Sequence, residues 1–264
     1  MPPLMSACAT AGRVLLRGLR QTLLIALGAA LLGTIGLVAW ARVVAPADPA
    51  ASMAMDSDDN VIVAREDWIS FRPRDSESQI GVIFYPDEKT EPAAYGPVLH
   101  RLAADGYLVV LALMPLNLAS LAPNTARQVM KQYPEVGKWV VAGHGRGGMA
   151  ASKFAERNPE SIVALILWGT YPPRFTDLSD APWPVLSITG TADQVATPAK
   201  VTAAKARLPQ ATRQLEIVGA DHWGFADFDP ALSTATIPRE QQQLDAIQAT
   251  KALLAEIEGD QGSG

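Results

Sequence analysis

The residues most informative about chemistry lie in a sharp turn between an apolar strand and a helix. Val140–Ala142 lead into Gly143-His-Gly-Arg-Gly147, and a helix-forming stretch begins at Met149. This is the setting of a G-x-S-x-G turn, whose central serine carries the attacking hydroxyl in nucleophilic catalysis. The central residue here is Gly145, so the chain has the setting of a nucleophile without the hydroxyl.

An acid and an imidazole follow two later apolar segments. Asp193 comes after Val185–Gly190, and His222 comes after Gln214–Val218. Ligands of doubly wound sheets bind at the carboxyl ends of the strands, so these side chains and the turn at Gly145 are expected at one edge. Their order along the chain matches the Ser…Asp…His order of one class of catalytic triad.

Short apolar strands alternate with helical segments through most of the chain, which predicts an α/β fold: a mostly parallel, doubly wound sheet covered by helices on both faces. Only 14 residues separate Gly169 from Pro184. No large lid fits there, so we expect an open site. The predicted strands are Gln79–Tyr85, Tyr107–Leu113, Lys138–Gly143, Ile162–Trp168, Val185–Gly190 and Gln214–Val218, after an extended segment or hairpin at Val61–Arg72; the predicted helices are Pro92–Asp105, Asn124–Tyr133, Arg146–Arg157, Pro198–Leu208 and Pro238–Ile257.

Residues from about 79 to 258 resemble the α/β-hydrolase family, in particular its small bacterial members related to dienelactone hydrolase. Five sequence pieces in this order carry the resemblance: Gly81-Val-Ile-Phe-Tyr-Pro86, Met114-Pro-Leu-Asn-Leu118, Gly143-His-Gly-Arg-Gly-Gly148, Gly190-Thr-Ala-Asp193 and Asp221-His222. The resemblance implies the α/β-hydrolase fold and, as activity, hydrolysis of an ester or related acyl bond in a small molecule.

The resemblance also implies roles for particular residues. His222 would be the general base and Asp193 would fix its tautomer. The backbone N–H of Arg146 would donate to the oxyanion, with a second N–H from Asp87 or Glu88. Two departures oppose catalysis: Gly145 stands in place of the nucleophile, and Asp87-Glu88 stands where the family is expected to carry two glycines. Both departures affect the same step.

No other residue is an obvious replacement for the serine. Ser152 lies two turns into the helix, and Thr170 lies at another strand end. His144 is interpreted as structural. The glycines of the turn also match G-x-G-x-x-G, but the next strand ends in Trp168-Gly-Thr170 without the acid that a dinucleotide ribose requires. We therefore predict neither a cofactor nor a metal.

An apolar segment near the N-terminus predicts a membrane anchor. Thr22–Ala41 contains 20 residues without a charge, long enough to span about 30 Å of hydrocarbon. Arginines precede this segment, so the positive-inside rule places the N-terminus in the cytoplasm and the rest outside the cell membrane. The alternative is a signal peptide cleaved after Ala39-Trp-Ala41, which would secrete the protein.

Charge and composition limit the remaining possibilities. The net charge is −5, and the first 42 residues contribute four positive charges, so residues 43–264 carry −9. Such an acidic domain is a poor partner for nucleic acid, which we exclude. The predicted organisation is a cytoplasmic tail (1–21), an anchor (22–41), a flexible stalk (43–60), the hydrolase-like domain (61–258) and a disordered tail (259–264).

Two hypotheses for function remain open. The first is a membrane-anchored, extracytoplasmic esterase-like hydrolase of low activity, because Asp193 and His222 are retained. The second is a non-catalytic pseudoenzyme that binds a ligand or partner at the membrane surface, because both departures from the family pattern, Gly145 and Asp87-Glu88, occur in the same chain. Under the first hypothesis, a serine at position 145 is expected to restore covalent labelling and ester turnover.

Overall fold

The computed structural model describes residues 4–75 and 79–259, which fall into two compact units, Met1–Val43 and Val44–Gly264. The first unit is one long helix, α1 (Leu4–Ala41). Within the described residues it is the one helix long and apolar enough to cross a membrane, over Arg17–Ala41. The predicted disordered tail lies outside the described residues except at its first position, Gly259, which ends the last helix.

The second unit is built on an eight-stranded sheet with the strand order β1-β2-β4-β3-β5-β6-β7-β8. The first two strands form an antiparallel hairpin that pairs antiparallel with β4, and every pairing from β4 to β8 is parallel. The mostly parallel α/β sheet predicted from the sequence is therefore confirmed. The strands are β1 (Val61–Arg65), β2 (Ile69–Pro73), β3 (Ile80–Tyr85), β4 (Leu108–Leu111), β5 (Lys138–His144), β6 (Ala164–Trp168), β7 (Val185–Gly190) and β8 (Arg213–Ile217).

Helices cover both faces of this sheet because successive strand residues point to opposite sides. In β3, Val82 and Phe84 belong to one buried apolar cluster, and Ile83 and Tyr85 belong to the other. The helices of the second unit are α2 (Gly96–Ala104), α3 (Thr125–Gln132), α4 (Gly145–Arg157), α5 (Pro198–Ala204) and α6 (Arg239–Gly259). Helices α2 and α6 pack in the first cluster, α3 and α4 in the second.

The flexible stalk predicted for residues 43–60 is wrong over most of its length. Ala45 forms a parallel bridge with Thr90, and Ala47 an antiparallel bridge with Phe228. A 3₁₀ helix follows at Pro49–Met55, with Ala51 and Met55 buried. Its small apolar residues have no amphipathic periodicity, so composition suggested a linker, although burial of alanine and methionine holds the segment on the domain.

Candidate active site

The turn between β5 and α4 has the geometry of a nucleophile elbow. Gly145 is buried and has φ = +52°, the left-handed conformation that elbow nucleophiles adopt under strain. A Cβ at Gly147 would lie 2.1 Å from the carbonyl oxygen of Pro86, and one at Gly143 would lie 2.7 Å from the backbone nitrogen of Gly148. The flanking glycines are therefore required by close backbone packing, as the sequence motif indicated.

The space above Gly145 is filled by the side chain of Asp87. A Cβ built on Gly145 would lie 2.3 Å from Asp87 Cγ, far inside van der Waals contact. Asp87 follows β3 directly, and β3 lies beside β5 in the sheet, which brings its loop against the elbow. The vacancy that a missing serine would leave is thus occupied by a carboxylate.

The two backbone amides expected to form an oxyanion hole converge on one oxygen of this carboxylate. Asp87 Oδ1 accepts hydrogen bonds from the Arg146 N–H at 2.6 Å and from the Glu88 N–H at 2.8 Å. The prediction that the Asp87 amide itself would face the site is wrong, because that N–H donates to Tyr95 Oη at 2.9 Å. Asp87 contributes its side chain instead.

The acid–imidazole pair is assembled at the opposite side of the site. His222 Nδ1 lies 3.0 Å from Asp193 Oδ2, and the other carboxylate oxygen accepts hydrogen bonds from the backbone N–H groups of Val195 and Ala196, both at 2.7 Å. These two amides orient the carboxylate toward the imidazole. The remaining ring nitrogen, His222 Nε2, lies 3.1 Å from Asp87 Oδ2. The structure therefore brings together the predicted residues at positions 87, 145, 193 and 222.

Charge is concentrated in this closed arrangement. Burial opposes protonation of His222, but hydrogen bonds and negative charge from Asp193 and Asp87 outweigh it and raise its pKa to about 9. Burial would raise the pKa of Asp87, but the hydrogen bond and charge of His222 hold that pKa below its usual value, and Asp193 shows the same balance. Near neutral pH the site therefore holds an imidazolium between two carboxylates.

The site is closed, which corrects the expectation of an open one. The side chain of His222 is 2% exposed, that of Asp193 0% and that of Asp87 11%. The loop that carries Asp87 is held by Glu88, whose Oε1 accepts from the backbone N–H of Ser120 at 2.8 Å. The closure comes from this short loop, so the absence of a large lid did not predict accessibility.

His144 and Tyr95 form a neutral layer behind the charged site. The ring of His144 packs against that of His222 at a tilt of 33°, with centroids 4.3 Å apart, and its Nδ1 lies 2.9 Å from Tyr95 Oη. Burial, together with the neighbouring charge of His222, lowers the pKa of His144 to about 3. Nothing in the sequence marked Tyr95 as part of the site, because it lies on the apolar face of the predicted helix Pro92–Asp105.

Neither hydroxyl considered as a substitute nucleophile is free to act as one. Thr170 Oγ1 donates a hydrogen bond to the carbonyl oxygen of Gly145, below the elbow. Ser152 Oγ donates to the carbonyl oxygen of Gly148 at 2.9 Å and is fully buried. Ser152 bonds back onto the preceding turn of its own helix, and Thr170 contacts the elbow from the end of β6.

Asp87, His144 and His222 are the one group of potential metal ligands found in residues 4–75 and 79–259, with donor atoms all within 4.8 Å of one another. Both ring nitrogens of His222 already face carboxylates, with Nδ1 3.0 Å from Asp193 Oδ2 and Nε2 3.1 Å from Asp87 Oδ2. A metal at Nε2 would have to replace the proton between His222 and Asp87, because a coordinating nitrogen must offer a free lone pair. The group fits an ion pair better than a metal, and we assign none.

Comparison with known proteins agrees with this architecture. A family model described as the alpha/beta hydrolase family matches residues 81–244, from β3 through the elbow, Asp193 and His222 into α6. No curated protein matches the chain. Because the family model covers more than half of the sequence, the chain belongs to the α/β hydrolase family.

Proposed function

We propose that this member of the α/β hydrolase family is a membrane-tethered pseudoenzyme, which keeps the site of a hydrolase for binding and has lost the chemistry. One observation carries the proposal. The Asp87 carboxylate lies where a nucleophile and its oxyanion would lie, and it engages the amides of Arg146 and Glu88 as well as His222 Nε2. A substrate carbonyl cannot enter while this carboxylate is in place.

The proposed ancestor is a serine hydrolase of the dienelactone hydrolase type. In this interpretation Gly145 replaces the serine, His222 was the general base, and Asp193 oriented it. Losing a triad serine costs about 10⁶ in kcat, which leaves about 10³–10⁴ over water for the remaining groups. Residual hydrolysis at that level would make the chain a weak esterase. The geometry of the site opposes this alternative.

Water-assisted hydrolysis by His222 is opposed by two features of the site. A general base needs a free lone pair on the nitrogen facing the water, but His222 Nε2 shares its proton with Asp87 and has a pKa of about 9. The space next to Gly145 that a water would need holds Asp87. We therefore expect ester turnover at the uncatalysed background.

Asp87 is a poor replacement for the serine in acyl transfer. Both of its oxygens accept hydrogen bonds, its pKa is lowered, and its side chain is 11% exposed. Each of these reduces the nucleophilicity or the reach of a carboxylate. Attack on an ester would also form an anhydride, which is a less stable product than a serine ester.

We further propose that α1 anchors the protein in the cell membrane with the second unit outside. The uncharged stretch Thr22–Ala41, within the apolar helix Arg17–Ala41, and the three arginines before that stretch support this orientation. The full-length protein is expected to remain in the membrane fraction at its full mass, with protease added to intact cells or spheroplasts cleaving residues beyond the anchor. A soluble product beginning near Arg42 would establish a cleaved signal peptide instead.

The catalytic part of the proposal is tested on the native chain with a short-chain p-nitrophenyl ester and a fluorophosphonate probe. We expect no covalent labelling, and equal ester turnover by the native chain and by His222→Ala, because neither contains a working nucleophile. Asp87→Asn serves as the matched control, since it removes the charge without opening the site. Turnover above background that depends on His222 or Asp87 would contradict the proposal.

A further inference from the structure

We infer that the site closed by Asp87 is a carboxylate-recognition site, and that its ligand is a small free carboxylate that binds in place of Asp87. The inference rests on the proposed function, because in a site that does not hydrolyse its ligand, binding of a carboxylic acid can itself be the function. It names the chemical class of that ligand. The Asp87 side chain occupies the site, and its hydrogen bonds show which chemical group the site binds.

Three donors define the shape of the site. The N–H groups of Arg146 and Glu88 converge on one carboxylate oxygen, and His222 Nε2 faces the other at 3.1 Å. Charged hydrogen bonds of this kind are stronger and more directional than neutral ones. The arrangement therefore recognises a planar group with two acceptor oxygens, both of them needed.

The local electrostatics also favour an anion over a neutral ligand. The Arg146 N–H lies in the first turn of α4, a helix of 13 residues, whose N-terminal end carries partial positive charge. The buried His222 adds a full positive charge, which Asp193 balances from the other side. A second carboxylate is stabilised by the helix end and the imidazolium together.

Chemical groups related to a carboxylate fit less well. An amide that placed its oxygen between the two backbone donors would present its NH₂ group to the Nε2–H of His222, donor against donor. An ester would present an alkoxy oxygen, a weak acceptor. The site therefore discriminates a free acid from its ester or amide by leaving a buried donor unpaired, a cost of about 1–3 kcal/mol for a typical buried group.

Asp87 competes with any external ligand because it is attached to the site. A tethered group acts at an effective concentration of roughly millimolar or more. The backbone of residue 87 is held by Tyr95 Oη, which accepts from its N–H, and by Thr90 Oγ1, which donates to its carbonyl oxygen at 2.7 Å. Exchange therefore requires the Asp87 side chain to rotate outward while the loop stays in place.

The test removes the competitor from the full-length chain in mild detergent. Asp87→Gly opens the site, and Asp87→Asn keeps it filled by a neutral group of the same shape. Unfolding temperatures are measured in sodium acetate and in sodium chloride at equal ionic strength, at neutral pH. We expect acetate to stabilise Asp87→Gly saturably, with half-saturation at millimolar concentration, and the native chain to require at least about tenfold more. Asp87→Asn should require less acetate than the native chain and more than Asp87→Gly, because its amide fills the site but fits the three donors less well.

Each outcome decides the inference. If acetate and chloride act equally on a folded Asp87→Gly, the site does not recognise carboxylates. If Asp87→Gly does not fold in chloride, acetate should restore folding, and failure to do so counts equally against the inference. Adding His222→Ala to Asp87→Gly should abolish the acetate effect. The proposed loss of hydrolysis is judged separately, by His222-dependent turnover in the native chain, so the two failures are distinguishable.

Discussion

The two sides of the site differ in how much of a hydrolase they retain. Asp193 and His222 follow the carboxyl ends of β7 and β8, and His222 Nδ1 lies 3.0 Å from Asp193 Oδ2. Two backbone amides orient the Asp193 carboxylate. At the elbow and the loop after β3, Gly145 lacks the nucleophile and Asp87 occupies its space. The side that orients the imidazole has the arrangement of a catalytic triad, and the side that would contact a substrate holds a carboxylate.

Gly145 and Asp87 form one structural unit. Any side chain at position 145 would begin 2.3 Å from Asp87 Cγ, so the carboxylate can lie there only beside a glycine. His222 in turn gains Asp87 as a second carboxylate partner, beside Asp193, for its positive charge. His222, oriented by Asp193, thus stabilises the Asp87 carboxylate beside Gly145.

The largest expected effect comes from restoring the elbow while removing its occupant. Gly145→Ser alone should fail to label with a fluorophosphonate, because the serine would overlap Asp87; this revises the expectation drawn from the sequence. The double variant Gly145→Ser with Asp87→Gly should label. It should also hydrolyse a p-nitrophenyl ester at least about 10³-fold faster than the native chain, since serine and oxyanion donors contribute most of triad catalysis.

Adding His222→Ala to this double variant provides the control, and labelling should then disappear. If Gly145→Ser alone labels as well as the double variant, Asp87 is displaced easily and the two positions are independent. If the folded double variant remains unlabelled, the retained acid–imidazole pair no longer supports nucleophile activation, and the contrast between the two sides of the site is wrong.

The sequence predicted which strand ends carry the elbow, the acid and the histidine. It did not predict the contact between the Asp87 side chain and the elbow, which decides what the site can do. Elbow, acid and histidine could be placed because apolar strands and glycine turns have local signatures. The side-chain position of Asp87 depends on packing between loops 58 residues apart in sequence, for which no local pattern exists. The packing of the predicted stalk against the domain was missed for the same reason, since Ala51 and Met55 are buried by tertiary contacts that leave no periodic pattern in the sequence.

Removing the imidazole should destabilise the folded protein. His222→Ala leaves the buried carboxylates of Asp87 and Asp193 facing each other without the cation between them. Breaking a buried charge pair by removing one partner typically destabilises by about 3–5 kcal/mol. Urea unfolding of the full-length chain in detergent, followed by tryptophan fluorescence, measures the change.

Arg146→Ala is the matched control for that measurement. The Arg146 side chain is 71% exposed and its guanidinium lies 3.6 Å from Glu88, so its loss should cost less than about 1 kcal/mol. An equally small effect for His222→Ala would mean that the imidazole is not charged in the folded protein. The interpretation of the site as an ion pair would then fail.

The smallest expected effect is a pH dependence that assigns the charge to His222. Its pKa is raised from 6.5 to about 9 in the folded protein, so its stabilising contribution is complete below pH 6.5 and is lost as pH rises through about 9. The loss is about 1.4 kcal/mol per pH unit at most, about 3 kcal/mol in total.

Comparing native and His222→Ala unfolding free energies from pH 6 to 9 isolates this contribution from other titrating groups. Their difference should shrink with rising pH, and in the background of Asp87→Asn the decline should end at lower pH and be smaller in total, because one of the two negative charges that raise the folded-state pKa of His222 is absent. A difference independent of pH would place the imidazole in its neutral form, free to act as a base, and would return the retained side of the site to the description of a working hydrolase.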